Sequence, residues 1–205
     1  SVRPRLQFLT LDSAPLGHVE QARLALAGGV RWIQLRAKGL PEEEWTRLAS
    51  EVGALCRAAG ATFVVNDSPR VAAASGASGV HLGPSDPSPE EARASLGPDA
   101  LVGVTVNFPA HLSRLRGARV DYVGVGPLRA TSSKPGHAAP HTEESLRSLI
   151  AAAGLPAYVI GGVTAADVPR LRGCGAHGVA VSGAIALAAD PEAAARALVA
   201  AVGGV

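Results

Sequence analysis

Short apolar runs alternate with longer segments of mixed character along the whole chain. The runs are apolar throughout rather than at every second position, which is typical of parallel strands that are buried on both faces. Each of the eight runs therefore predicts a strand. The predicted strands are 6–11, 32–36, 62–65, 79–82, 101–105, 122–124, 157–160 and 178–182.

The segments between these runs are rich in Ala, Leu, Arg and Glu and predict helices. Three of them begin with a proline that is followed by acidic residues, at 41–44, 88–91 and 190–192. Proline suits the first helical position, and acidic residues there favour the helix dipole. The predicted helices are 16–27, 41–59, 69–75, 88–96, 109–116, 142–153, 165–173 and 190–202. Eight strands and eight helices in strict alternation indicate an α/β fold.

A weak internal repeat favours a closed barrel over an open sheet. Segments 28–30, 76–80 and 175–179 each end a predicted helix with glycine and lead into a strand. An open doubly wound sheet does not predict this repeat, and no GxGxxG follows the first strand. The sequence therefore predicts a single (β/α)₈ TIM barrel as the one domain of residues 1–205, which is compact for a fold of roughly 250 residues.

Composition and charge exclude several classes of protein. Apolar residues make up 47% of the 205, which is typical of a globular protein. The net charge of +2 and the absence of a run of like charges argue against a nucleic-acid partner. No apolar stretch reaches the length of about 18 residues that a membrane span needs.

The two cysteines indicate a reducing environment. Cys56 and Cys174 lie 118 residues apart in apolar segments, without a CxxC motif. Reduced core thiols are therefore expected rather than a disulfide or a metal pair, and the protein is expected to be cytoplasmic. The sequence leaves a homodimer open.

Two glycine segments near the C-terminus predict an anion site. Residues 159–163 and 178–184 each form a β-branched strand that runs directly into small residues, including Gly162, Ser182 and Gly183. Glycine lets a phosphate approach the backbone amides, and the last two strands of a barrel often carry a phosphate site. The ligand is therefore expected to be phosphorylated and to lie at the carboxyl-terminal mouth of the barrel.

Three long polar side chains follow the second predicted strand. Gln34, Arg36 and Lys38 alternate with apolar residues, so they point to the same side of the strand. A site for an anion or a substrate explains this convergence, and the alternative is a solvated, basic strand end.

Acidic residues follow the third and fourth predicted strands. Asn66 and Asp67 end one strand, and Asp86 lies shortly after the next. For either carboxylate alone, a turn or a helix cap before a proline is an equally good explanation. As a pair on neighbouring strand ends they suit Mg²⁺, which carboxylates hold together with water and substrate phosphates. His81, inside its strand, is expected to be a satisfied core histidine.

Further hydroxyl and amide groups follow the fifth and sixth strands. Thr105 and Asn107 suit hydrogen bonding to a heterocycle, although turn chemistry explains them equally. The long segment 127–141 carries three hydroxyls and then a lysine, which suit a phosphate cradle or a flexible polar loop. These four residues are Thr131, Ser132, Ser133 and Lys134. HExxH, GxSxG and GxxxxGK[ST] are absent, which argues against metal hydrolases, serine hydrolases and nucleotide triphosphatases.

Taken in order, these segments resemble the thiamine-phosphate synthase family over nearly the whole chain, from residue 6 to about residue 200. Each motif alone is weak, and the ordered set is specific. The matching segments are 34–38, 66–67, 79–83, 86, 121–127, 131–134, 160–162 and 178–181.

The resemblance implies a (β/α)₈ transferase of thiamine biosynthesis. Such an enzyme joins hydroxymethylpyrimidine diphosphate to a thiazole phosphate, with release of pyrophosphate and without a general base. The resemblance assigns the pyrimidine diphosphate to Gln34, Arg36, Lys38, Asn66, Thr105 and Lys134, and Mg²⁺ to Asp67 and Asp86. It assigns the thiazole phosphate to Thr131, Ser132, Ser133, Gly162, Ser182 and Gly183. Arg36, Lys38 and Lys134 are the implied catalytic cations, since they would stabilise the departing pyrophosphate.

The chain departs from the usual family pattern at four site positions. Pro84, Thr105, Asn107 and Gly183 stand where Gln, Ser, His and Ser are usual, and none of these changes removes a proposed charge. A related thiazole tautomerase shares the barrel but needs neither Mg²⁺ nor the pyrimidine diphosphate. A non-catalytic sensor of phosphate ligands on the same barrel is the second alternative.

Overall fold

The computed structural model describes residues 3–117, 119–130 and 139–203. Its core is a closed barrel of eight parallel strands in the order β1 to β8, each paired with its neighbours in sequence and β8 paired with β1. The strands are β1 Leu6–Leu9, β2 Trp32–Leu35, β3 Thr62–Asn66, β4 Gly79–Leu82, β5 Leu101–Thr105, β6 Tyr122–Val125, β7 Ala157–Val159 and β8 Gly178–Val181. The predicted (β/α)₈ fold is confirmed.

Helices surround the barrel and follow the strands in turn. They are α1 His18–Ala27, α2 Glu42–Ala58, α3 Pro69–Ser75, α4 Pro89–Leu96, α5 Glu143–Ala153, α6 Val168–Gly173, α7 Gly183–Ala186 and α8 Pro191–Ala201. A short 3₁₀ helix, Ala165–Asp167, precedes α6. None of the helices in the described ranges is both long and apolar enough to cross a bilayer.

One predicted helix was wrong, and one short helix was missed. The segment after β5 forms a 3₁₀ helix, Pro109–Leu115, because it has no buried residue to hold a full helical face against the barrel. The four-residue helix α7, between β8 and α8, was missed because its sequence is too short for a helical period.

The strands divide their side chains between two cores. Residues such as Ile33, Val65 and Val80 point outward into the large cluster between the barrel and the helices. The inward positions form a second cluster of Leu9, Trp32, Val64, Tyr122, Tyr158 and Ala180. This division follows from the two-residue period of a strand, and it confirms that the apolar runs are buried on both faces.

Three aromatic rings fill the amino-terminal part of the barrel interior. Trp32 lies edge-on to Tyr122 at 4.8 Å and to Tyr158 at 5.0 Å between ring centroids. The Arg3 guanidinium lies 5.8 Å from the centroid of the Tyr122 ring, and the hydroxyl of Tyr158 donates to the carbonyl of Pro4. The N-terminal segment therefore closes this end, and the polar inward residues lie towards the other end.

Both cysteines are buried and free. Burial raises the pKa of the Cys56 thiol to about 12, so it carries no thiolate near neutral pH. The expectation of reduced core thiols is confirmed.

Gly103 supplies the space that Tyr122 occupies. A Cβ at Gly103 would lie 2.1 Å from Cζ of Tyr122, whose ring is already held by Trp32. We expect Gly103→Ala to lower the free energy of unfolding by at least about 2 kcal/mol, measured by urea titration.

The matched control is Gly173→Ala at the end of α6, where an added Cβ meets no described atom within 4 Å. We expect this change to leave the stability unchanged or to raise it by up to about 1 kcal/mol. Equal losses in the two variants would contradict the packing argument.

Candidate active site

The end of β2 carries two cations that are anchored to the loop after β1. The backbone N–H of Arg36 donates to Oγ1 of Thr10 at 3.1 Å, and that of Lys38 donates to Oδ1 of Asp12 at 3.2 Å. Nη1 of Arg36 lies 3.9 Å from Oδ2 of Asp12. Burial lowers the pKa of Arg36, and Asp12 opposes that shift. Nε of Arg36 is buried and has no hydrogen-bond partner within the described ranges, so the guanidinium keeps a donor for a ligand.

Gln21 of α1 holds the loop that presents Asp12. Its Oε1 accepts from the backbone N–H of Leu11 at 2.8 Å, and its Nε2 donates to the carbonyls of Leu11 and Leu16. Nε2 of His18 lies 3.1 Å from Oδ1 of Asp12, and burial lowers the pKa of His18. Asp12 was not among the predicted site residues, although its place shortly after β1 is a signal of the same kind as that of Asp67 after β3.

Asp67 sits at the end of β3 in a strained conformation. Its φ is 68°, the one positive φ among the described residues other than glycine. Its N–H donates to the carbonyl of His81 at 2.8 Å, and its Oδ2 accepts from the ammonium of Lys38. Ser68, rather than Asp67, caps α3 through a bond from the N–H of Val71. Backbone strain of this kind concentrates at functional sites.

The side chain of Asp86 does not cap the next helix either. Ser88 and Glu91 form a capping box at the start of α4. Oδ2 of Asp86 instead accepts from the backbone N–H of Gly83 at 2.6 Å, which closes the turn after β4. Neither carboxylate therefore caps the following helix, but Asp86 does take part in a turn, as the alternative interpretation expected. Asp67 directly follows β3, and Asp86 lies in the turn after β4.

A cavity of about 460 Å³ adjoins the Lys38–Asp67 pair. Its other walls come from the first turns of α2 and α3 and from α4, with Trp45, Arg70 and Glu91 among the lining residues. The ion pair is thus open to a ligand on this side.

The glycines after β7 are required by the close approach of the segment that follows β6. Beyond the strands, the N–H groups of Leu128 and Arg129 donate to the carbonyls of Ile160 and Gly161, both at 2.9 Å. Gly161 and Gly162 have φ values of 97° and 66°. A Cβ at Gly162 would lie 3.0 Å from Cβ of Arg129. Only glycine combines this backbone with this approach.

Arg129 and Asp167 clamp the glycine segment. Nη1 of Arg129 donates to the carbonyl of Gly162 at 2.6 Å, and the guanidinium binds both oxygens of Asp167 at 2.6 and 2.7 Å. The Arg129 hydrogen bonds, with those from Thr164 and Arg170, hold the pKa of Asp167 well below its usual range. This pair could not be predicted from the sequence, since no local pattern links two residues 38 positions apart.

Ser182 and Gly183 lie after β8. Oγ of Ser182 is buried and makes no hydrogen bond with the described residues, while its carbonyl accepts from Ile185 and Ala186 at the start of α7. The hydroxyl is therefore left for a ligand. Thr131, Ser132, Ser133 and Lys134 lie outside the described residues. At the end of that segment, His141 contacts the carbonyls of Gly126 and Pro127.

Four predicted residues meet inside the barrel. Nδ2 of Asn66 donates to Oε1 of Gln34 at 3.0 Å, and Nε2 of His81 lies 2.9 Å from Oγ1 of Thr105. His81 is buried and fully bonded, as predicted. Asn107, in contrast, has a buried Oδ1 without a partner in the described part of the chain.

Comparison with known proteins shows the family of this chain. The family model for thiamine monophosphate synthase matches residues 10–185. The chain belongs to this family. A thiamine-phosphate synthase from Phocaeicola vulgatus is 39% identical over 193 residues, 92% of this chain and 93% of the relative. A second, from Laribacter hongkongensis, is 41% identical over 195 residues, 93% of this chain and 92% of the relative.

A solved structure supports the same assignment. A thiamine phosphate pyrophosphorylase from Pyrococcus furiosus superimposes with a TM-score of 0.86 at 29% identity, over 97% of this chain and 95% of that chain. The resemblance inferred from the ordered motifs is therefore confirmed. The roles of the individual site residues, and the magnesium ion, stay predictions.

The paired carboxylate of Asp167 makes the stability of its segment depend on pH. Its folded pKa lies below the unfolded value of about 4, so its stabilisation is full above that value and is lost as pH falls towards the folded pKa. We expect wild type to be more stable than Asp167→Asn near neutral pH, and the difference to shrink at about pH 3. Urea titration at both pH values measures this.

The control is Glu143→Gln, which removes the charge of an exposed carboxylate that also pairs with Arg170. We expect it to change the unfolding free energy by less than about 0.5 kcal/mol near neutral pH. A wild-type advantage over Asp167→Asn that does not vary with pH would count against the ion-pair argument.

Proposed function

We propose that this chain is a transferase that forms thiamine phosphate from hydroxymethylpyrimidine diphosphate and a thiazole phosphate, with release of pyrophosphate. Family membership over residues 10–185 supports the reaction. The observation that carries it is the contact of Lys38 with Asp67, two residues after Arg36, whose buried Nε has no partner among the described residues. Cations and a carboxylate on adjacent strand ends suit a diphosphate with its counterion, and a thiazole isomerase needs neither.

The chemistry requires charge stabilisation rather than proton transfer. The bond between the pyrimidine methylene carbon and the diphosphate oxygen breaks, and its electron pair leaves with the pyrophosphate. The thiazole nitrogen then gives its lone pair to the methylene carbon. That nitrogen carries no proton, so no general base is required. Arg36, Lys38 and Lys134 would stabilise the charge on the leaving group, which is the largest demand of this step.

Asp67 and Asp86 fit a magnesium ion in this proposal. Each uses only Oδ2 in a contact with the described residues, which leaves one oxygen per carboxylate. Among the described residues no group of three or more acidic, histidine or cysteine side chains could hold a metal. Two carboxylates nevertheless suit Mg²⁺, because substrate phosphates and water usually complete its shell. The ion would neutralise charge on the departing pyrophosphate.

Gly162, Ser182 and Gly183 are proposed to bind the thiazole phosphate with Thr131, Ser132 and Ser133. The buried hydroxyl of Ser182, which has no hydrogen-bond partner among the described residues, supports this assignment. The pyrimidine ring is assigned to Gln34, Asn66 and Thr105 inside the mouth. The ligands are thus small phosphorylated heterocycles. A cytoplasmic location is also proposed, supported by the two buried free cysteines.

The deciding experiment measures pyrophosphate release from the two substrates, with Mg²⁺ and with a chelator. We expect release only when both substrates and the metal are present. Binding of the thiazole phosphate without release would favour the tautomerase or a sensor instead.

Asp67→Asn separates the metal role from folding. Asparagine accepts the positive φ of this position and keeps the shape of the side chain, so the fold should be as stable as that of wild type. We expect turnover at saturating substrates to fall by at least about 100-fold, or about 2.7 kcal/mol, because a metal-binding charge is lost. The exposed Glu43→Gln serves as control and should retain full activity. Near-wild-type turnover in Asp67→Asn would remove Asp67 from the metal site.

Lys134→Ala tests the cationic role of the hydroxyl-rich segment. We expect at least a tenfold fall in rate, or about 1.4 kcal/mol of lost transition-state stabilisation. Lys134→Arg should recover part of that loss, because it restores the charge. An unchanged rate in steady-state kinetics for the alanine variant would leave the segment without a catalytic role.

A further inference from the structure

An unbroken chain of six polar side chains runs through the barrel interior and includes the three residues assigned above to the pyrimidine ring. Five hydrogen bonds of 3.0, 3.1, 3.4, 3.1 and 2.9 Å link its members in order. Each member is less than 10% exposed. The order is Asn66, Gln34, Gln7, Tyr122, His81 and Thr105.

The amide groups give the first half of this chain a direction. Nδ2 of Asn66 donates to Oε1 of Gln34, and Nε2 of Gln34 donates to Oε1 of Gln7. Nε2 of Gln7 in turn donates to the hydroxyl oxygen of Tyr122. Every donor in this half faces an acceptor of the next residue, and no amide is left with its oxygen against another oxygen.

The same direction continues through the tyrosine and the histidine. Since its oxygen accepts from Gln7, the Tyr122 hydroxyl has its own proton available for Nδ1 of His81, 3.1 Å away. Nδ1 of His81 is then the acceptor, so the ring carries its proton on Nε2 and donates to Oγ1 of Thr105. Burial raises the pKa of Tyr122, which keeps the hydroxyl protonated as this direction requires.

The two ends of the chain consequently have opposite hydrogen-bonding character. Thr105 accepts from His81, so its hydroxyl proton is available to donate to a ligand. Asn66 uses an N–H within the chain, and its Oδ1 accepts no bond from the described residues. These ends lie at the carboxyl-terminal ends of β5 and β3, on either side of β4.

We propose that Gln7, Tyr122 and His81 are positioning residues that set this donor and acceptor pattern for an aminopyrimidine ring. This inference rests on the proposed function. An aminopyrimidine offers a ring nitrogen that accepts and an exocyclic amine that donates, which complements a hydroxyl donor and a carbonyl acceptor. Because hydrogen bonds in a buried chain polarise one another, a break in the middle weakens both ends.

Tyr122→Phe breaks the chain and keeps the ring packed against Trp32 and Tyr158. We expect affinity for hydroxymethylpyrimidine diphosphate, measured by calorimetry, to fall by about tenfold, the order expected when a buried hydrogen-bonding group loses its partner. Affinity for inorganic pyrophosphate should stay within about twofold, because Arg36 and Lys38 bind that group outside the chain.

Tyr158→Phe is the matched control. It removes a hydroxyl from the same aromatic cluster, but that hydroxyl binds the carbonyl of Pro4 and is outside the chain. We expect it to leave both affinities unchanged, even where the two variants lose similar thermal stability. The positioning role would be overturned if both variants lost the same affinity for the pyrimidine diphosphate. It would also be overturned if Tyr122→Phe lost as much affinity for pyrophosphate as for the pyrimidine diphosphate.

The ligand-free protein provides a test that does not depend on activity. Long-range ¹H–¹⁵N spectra of ¹⁵N-histidine-labelled protein should show His81 with its proton on Nε2, and its Nδ1 resonance should move in Tyr122→Phe but not in Tyr158→Phe. A proton on Nδ1 in wild type would overturn the direction of the chain.

The outcomes separate the two proposals. Wild-type pyrophosphate release together with wild-type pyrimidine affinity in Tyr122→Phe leaves the proposed function standing and overturns the positioning role. If the wild-type protein binds no pyrimidine diphosphate, the proposed function is wrong. The positioning of a pyrimidine ring by Gln7, Tyr122 and His81 is then wrong as well. The expected affinity loss, together with the Nε2 tautomer, supports both.

Discussion

Closure of eight parallel strands on themselves is the constraint on which the rest of the molecule depends. Closure pairs every strand on both edges and points alternate side chains into a space of limited volume. Tyr122 fits there because Gly103 lies beside its ring, and an added Cβ at Gly124 would lie 3.1 Å from the imidazole of His81. Large inward residues such as Tyr122 and His81 therefore depend on the space that a glycine of another strand leaves free.

The interior changes character along the barrel axis. Trp32, Tyr122 and Tyr158 form an apolar floor that the N-terminal segment covers. Above that floor, buried amide, hydroxyl and imidazole groups must bond to one another, because the rings below offer few polar partners. Within the described ranges, Nε1 of Trp32 in the floor has no hydrogen-bond partner, and neither do Nε of Arg36 and Oγ of Ser182 at the rim. The two groups at the rim are placed where a ligand would bind.

Much of the fold could be predicted because it depends on local patterns. The eight strand centres followed from apolar runs, and α3 matched at both ends because Pro69 and Gly76 mark them. Prediction failed where a local signal was ambiguous or absent. Asp67 and Asp86 each preceded a proline like a helix cap, yet Ser68 and Ser88 cap the helices. The helix α7 has only four residues, too few to show a helical period. The segment 109–116 has too weak an apolar face for a full helix.

The sequence alone determined the class of fold and the family. Each depends on information that lies close together in the chain: apolar runs, the residues that follow them, and ordered short motifs. The partners of the polar groups depended on closure and register. Gln7 meets Tyr122 across 115 residues, and Arg129 meets Asp167 across 38. A hydrogen bond requires two atoms within about 3 Å, and only the folded barrel brings residues so distant in sequence to that separation.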